Sequence, residues 1–181
     1  IKKFNDMSRS KKGGIWIAGD SGIIKVHIQS TSSGIAVSWD GHPFVASDRI
    51  YNASCVYENH KDDVLVTAAS LDTGNSVILK RKESKWEKVW EVPGGVDVYG
   101  LPGVNNEIWL IKHPRKKFSL SYIQNNTEYN ISPGRVLSKK IFDTAIDDSG
   151  GLWFATPQGA ARYAPQLWRT PLPDMKKHCN A

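Results

Sequence analysis

The sequence predicts an all-β chain: a β-propeller segment of about four blades, each a four-stranded antiparallel sheet. Three observations carry this. An internal repeat recurs at a nearly fixed spacing, which marks stacked supersecondary units. The apolar segments are short and bounded by Gly, Asn, Asp and Pro, as strands are, and the 3.6-residue apolar period of helices is nearly absent.

The repeat is sharpest where Gly13 to Val26 lies over Gly150 to Tyr163 without a gap, at an offset of 137 residues. Between these copies Asn106 to Ile111 places Trp109 44 residues ahead of Trp153. A weaker copy, Asp62 to Thr67, puts Leu65 at the Trp position, so the units run near 13–58, 62–102, 105–146 and 147–181. Each unit begins with polar or Gly residues, continues as a short strand with both faces buried, and turns tightly into a second strand. Trp16, Trp109 and Trp153 are expected to fill the wedges between neighbouring blades, with Ala18 and Ala155 where the strands converge. Gly22 and Gly159 fall at the turn into the second strand, where positive φ is expected. Further along the units, Ile35 to Trp39 and Phe44 to Ala46 flank Asp40-Gly41, a favoured hairpin dipeptide. Val77 to Lys80 and Trp86 to Trp90 flank a polar turn at Lys82 to Lys85.

Length and charge set the outer bounds. At 181 residues and 20.2 kDa the chain suits one domain, and no apolar run approaches the length a membrane-spanning helix needs, so this segment is not expected to insert in a membrane. The net charge of +6 is spread over separated pairs and triplets such as Lys80-Arg81-Lys82 and Arg115-Lys116-Lys117. Nucleic acid is not an expected partner, because it requires one continuous basic face. Cys55 and Cys179 lack the companion ligands of a zinc or redox site, and leave open either one disulfide in an oxidising compartment or two free thiols. Gly19-Asp20-Ser21-Gly22 resembles the nucleophile segment of trypsin-like serine proteases, yet the repeat makes it a turn, with Gln158 at the position of Ser21. His spacing and the carboxylate pairs Asp62-Asp63 and Asp147-Asp148 do not compose a metal motif, and no Gly-rich loop leads a strand into a helix. No cofactor, no metal and no catalytic residue are therefore expected.

The segment Asp147 to Tyr163, with Gly150-Gly151-Leu152-Trp153, Thr156, Gly159 and Arg162-Tyr163, resembles the repeat of the two-component-regulator propeller family. Gly13 to Val26 keeps the Gly-Gly-apolar-Trp core and the turn Gly, with Gly19 in place of the Thr. The resemblance implies a periplasmic or extracellular, non-enzymatic ligand-sensing or interaction module of a bacterial signal-transduction protein. It also implies a propeller of more blades than four, so the expected partners are the remaining blades or a second copy of the chain, together with a small polar or carbohydrate ligand. Lys177 to Ala181 resembles the lead-in Phe142 to Ala145, as if another unit were about to begin. The rival readings are a propeller-fold lyase or glycosidase acting on a carbohydrate, and a freestanding lectin-like protein.

Loops around a propeller axis are the usual functional surface. On that map the candidate ligand-binding residues are His60, Lys61, Asn105, Asn106, Trp168 and Arg169, which combine hydrogen-bonding side chains with one aromatic platform.

Overall fold

The computed structural model describes residues 1–44, 49–59, 61–83, 85–94, 97–103, 105–113, 119–131, 141–147, 149 and 151–163. Every regular element among them is a strand, and the strands form four antiparallel sheets arranged as propeller blades. Blade 1 comprises β1 (Phe4–Arg9), β2 (Ile15–Gly19), β3 (Gly22–Thr31) and β4 (Gly34–Pro43). Blade 2 comprises β5 (Ile50–Glu58), β6 (Val64–Ser70), β7 (Ser76–Lys82) and β8 (Lys85–Val92). Blade 3 comprises β9 (Asp97–Pro102), β10 (Ile108–His113), β11 (Ser119–Gln124) and β12 (Thr127–Ile131). In blade 4 the described strands are β13 (Asp143–Ile146), β14 (Leu152–Thr156) and β15 (Gly159–Tyr163).

Each blade starts one strand ahead of the repeat's Trp strand, because the segment before the Gly-rich turn pairs with it: Ser8 lies opposite Trp16, Tyr57 opposite Leu65, Leu101 opposite Trp109, and Ala145 opposite Trp153. The same backbone hydrogen bond closes the connecting turn in all four blades. The N–H of Ser10, Asn59, Gly103 and Asp147 donates to the carbonyl four residues on, at 3.1, 3.0, 2.8 and 2.9 Å. The fourth turn residue is left-handed where described, at Gly13, Asp62 and Asn106. What varies is the side chain that caps it. Asn59 Oδ1 accepts from the N–H of Lys61 and Asp63, and Asp147 Oδ1 from those of Ser149 and Gly151. Gly103 has no side chain to offer, and Glu107 folds back to accept from Asn105 N–H at 2.7 Å. A Cβ on Gly103 would sit 2.3 Å from the Glu107 carboxyl carbon, so the glycine makes room for the substitute cap.

Alternation along each strand gives a blade two faces. The front face of blade 1, with Trp16, Ala18 and Ile23, packs on the rear face of blade 2, with Val64, Val66, Ala68 and Leu79. Leu65 and Ile78 then meet Leu110 and Ile123 of blade 3, and Trp109, Ile111 and Leu120 meet Leu152 and Phe154 of blade 4. Trp16 and Trp109 are 1% and 3% exposed, as a wedge-filling role requires.

Two expectations are corrected. Trp153 is 41% exposed rather than core, because it occupies the front face of blade 4, and no hydrophobic cluster among the described residues joins that face to another blade. Asp40-Gly41 does not form the hairpin turn. Those residues continue β4 opposite Lys25 and Ile24, while the chain reverses at Ser32-Ser33, with Gly34 at positive φ and Thr31 Oγ1 donating to Gly34 O. Gly22 and Gly159 do adopt positive φ.

Candidate functional site

The first strands β1, β5, β9 and β13 converge on the propeller axis. They wall two cavities of about 510 and 290 Å³. The larger is lined by Asn5 and Asp6 of β1, Ser54 and Tyr57 of β5, Asp97 and Tyr99 of β9, and Asp143 and Thr144 of β13, with Ile141 and Phe142 beside them. The smaller lies toward the turns, with Arg9, Lys11, Glu58 and Asp147 in its wall. Asp6, Tyr57, Asp143 and Thr144 line both.

Local chemistry holds these strands together. Asn5 Nδ2 donates to Asn52 Oδ1 and to Ala53 O at 2.9 and 2.7 Å, and Val56 N–H donates to Asp6 Oδ2 at 3.2 Å, which locks β1 onto β5. The Tyr57 ring, from blade 2, packs on the hydrophobic cluster shared by blades 3 and 4. Burial pushes the Asp6 carboxyl above its ordinary value; the N–H groups of Val56 and Met7 oppose this, and repulsion from Asp143 adds to it. Burial likewise raises Tyr57 and Tyr99. The wall of the larger cavity contains three carboxylates and two phenols, and none of its described residues is basic. In a chain of net charge +6 that is a local reversal of sign. It suits a ligand that offers hydrogen-bond donors or positive charge and disfavours an anion.

Among the described residues no three His, Cys, Asp or Glu side chains converge closely enough to hold a metal ion. Asp62 pairs with Lys12 and Asp63 with Lys80, each at 2.7 Å, and Asp147 binds Trp153 Nε1 and Arg162. The Ser21 hydroxyl lies in the exposed β2–β3 turn and donates to Asp20 Oδ1 at 3.2 Å. Cys55 is a free, fully buried thiol whose pKa burial pushes up to about 11. Cys179 lies outside the described residues, as do His60, Trp168 and Arg169 of the candidate ligand residues.

Lys61 and Asn105 turn out to be equivalent repeat positions, each exposed at the third place of its turn, with Asn106 following at positive φ. None of the three lines either cavity. The axial residues went unread because the repeat's identities lie in the packing strand, one strand later. A signal was present: ten positions ahead of Trp16, Leu65, Trp109 and Trp153 stand Asp6, Cys55, Tyr99 and Asp143, an Asp twice over, and all but Cys55 line the larger cavity.

No protein-family model and no curated protein matches the chain. Among solved structures, the chain is similar to the extracellular domain of a hybrid two-component system from B. thetaiotaomicron, with a TM-score of 0.53 and 14% identity over 88% of this chain. The match spans 21% of that protein, so this chain corresponds to about a fifth of it. A streptogramin B lyase (TM-score 0.46, 14% identity, 91% of this chain and 69% of that one) and a virginiamycin B lyase from Staphylococcus aureus (0.47, 16%, 91% and 56%) are more remote. The likeness to the extracellular domain establishes the propeller fold.

Proposed function

We propose that this chain is a ligand-sensing propeller module of a bacterial signal-transduction protein, acting in the periplasm or outside the cell, and that its ligand engages the axial cavity. The observation that carries the reading is the cavity's wall. One occupant there touches the first strand of every blade, so binding changes the packing of the whole stack. Likeness in fold to an extracellular two-component-system domain supports the setting, and the repeat at Asp147 to Tyr163 supports the family. The chemistry of Asp6, Asp97, Asp143, Tyr57 and Tyr99 favours a neutral or cationic polar ligand, such as a neutral or amino sugar. Thermal unfolding against neutral sugars, amino sugars and sugar acids tests it. Neutral or amino sugars are expected to raise the midpoint, sugar acids to leave it unmoved, and Asp97→Asn to remove the response. A flat response to all three classes, or one indifferent to Asp97→Asn, refutes the site.

The rival reading is a propeller-fold enzyme acting on a carbohydrate. It draws on Asp6, whose raised pKa beside Asp143 is the environment of a general acid. Mass spectrometry of the sugar panel after incubation separates the two, since sensing returns each sugar unchanged.

A further inference from the structure

Among the described residues three front-to-rear contacts join the blades, and each end of the stack has one face that no described blade covers. At one end is the front face of blade 4. Register places Trp153, Ala155 and Arg162 where blade 1 has Trp16, Ala18 and Lys25. Even the stacked charge repeats: Lys25 lies 4.6 Å from the Trp16 ring centre, and Arg162 5.7 Å from that of Trp153. At the other end is the rear face of blade 1. Ile15, Ile17, Ile24 and Val26 are half-buried there, and the face runs outward through Ile28, Val37 and Trp39, which are exposed. Ile15 and Ile17 hold the positions at which Val64 and Val66 of blade 2 receive Trp16. Trp39, opposite Val26, holds the position of Trp86, opposite Arg81, and Trp86 packs on the blade 1–2 core. Yet Trp39 is 70% exposed.

We propose that the front face of blade 4 docks on the rear face of blade 1 of a second copy of this chain, repeating between molecules the contact that joins blades within one. The charges agree. In the blade 1–2 contact the carboxylate comes with the incoming blade: Glu58 Oε2 accepts from Trp16 Nε1 at 2.5 Å and lies 4.0 Å from Lys25 Nζ. At the position of Glu58, blade 1 carries Arg9. The front of blade 4 supplies its own carboxylate, Asp147, which accepts from Trp153 Nε1 at 2.9 Å and from Arg162 Nε and Nη2 at 3.0 and 2.9 Å. The acid has moved from the incoming blade to the receiving face, and a base has replaced it, so Arg9 brings positive charge toward Asp147 rather than a second acid. Such a contact is heterologous, and two copies satisfy both ends when the rotation closes. It is independent of whether the axial cavity binds a sugar.

Two variants at exposed positions test it without touching the folded core: Trp153→Asp blocks the front face and Trp39→Asp the rear. Sedimentation velocity of the unmodified chain up to about 100 micromolar, a range in which a micromolar contact is populated, is expected to show concentration-dependent association. Each variant alone is expected to be monomeric, with an unchanged far-ultraviolet spectrum. Their mixture is expected to form a 1:1 dimer, because one copy keeps a working front and the other a working rear. A monomeric unmodified chain, association of Trp153→Asp alone through two rear faces, or a mixture that stays monomeric would overturn the proposal.

Discussion

Trp16 and Trp109 fill equivalent wedges and are equally buried, but their indole N–H groups meet different fates. Trp16 Nε1 donates to Glu58, whose side chain is 2% exposed, at 2.5 Å. Ile146 takes the position of Glu58 in blade 4, and Trp109 Nε1 is buried with no hydrogen-bond partner among the described residues. Replacing each by Phe removes a similar part of a ring, so the packing loss largely cancels between them. Trp16→Phe also removes a hydrogen bond to a charged acceptor, worth about 1.5–3 kcal/mol, and leaves the Glu58 carboxylate to the longer contacts with Lys11 N–H at 3.3 Å and Lys25 Nζ at 4.0 Å. Trp109→Phe removes a donor that already bears a desolvation cost of about 1–3 kcal/mol. Trp16→Phe should therefore be the more destabilising by at least about 2 kcal/mol. Urea unfolding followed by far-ultraviolet circular dichroism, with linear extrapolation, measures both. A cycle with Glu58→Gln should show coupling for Trp16→Phe. Equal losses for the two Phe variants, or strict additivity with Glu58→Gln, would refute the reasoning.

Three further outcomes are expected. In a Cys179→Ser background the Cys55 thiol, its pKa pushed up to about 11 by burial, should resist a disulfide reagent at pH 8 and react once urea unfolds the chain; rapid native labelling contradicts its burial. The folded-state pKa of Asp6 is raised, so its ionisation opposes folding as pH rises through that value. Asp6→Asn should raise the thermal midpoint at pH 7, with the gain vanishing toward pH 3; a gain constant with pH removes the electrostatic explanation. Glu107→Ala should cost about 1–2 kcal/mol by uncapping the third turn, and adding Gly103→Asp, which restores the cap of blade 4, should recover part of it in urea unfolding.

What the sequence made legible was the part of the fold that repeats for packing reasons. Trp16, Trp109, Gly22 and Gly159 recur because a wedge or a left-handed turn admits few residues, and each stands where expected. Trp153 misled because the same residue serves a face that no described blade covers, and identity carries no record of what lies opposite. The axial residues escaped because polar positions around a cavity are free to differ from blade to blade: Asp6, Tyr99 and Asp143 share one register position and line the larger cavity, while Cys55 at the same position of blade 2 is buried and lines neither. Asp40-Gly41 competed with the Ser-rich stretch before Gly34 for a single reversal, and only pairing along the full length of β3 decides between them.

The position of the Tyr57 ring has a mechanical meaning. It comes from blade 2 yet packs on the cluster shared by blades 3 and 4, so it acts as a brace across the hub while the other cluster contacts hold the spokes side by side. The same side chain lines both cavities, so an occupant of either one would press on the brace. A small change of angle at the hub would become a larger displacement at the outer strands. Tyr57→Ala removes the brace. Faster amide exchange in β13 and β14 of that variant, with β2 and β3 unchanged, is the signature of a blade released from its opposite number; uniform exchange would mean the brace bears no load.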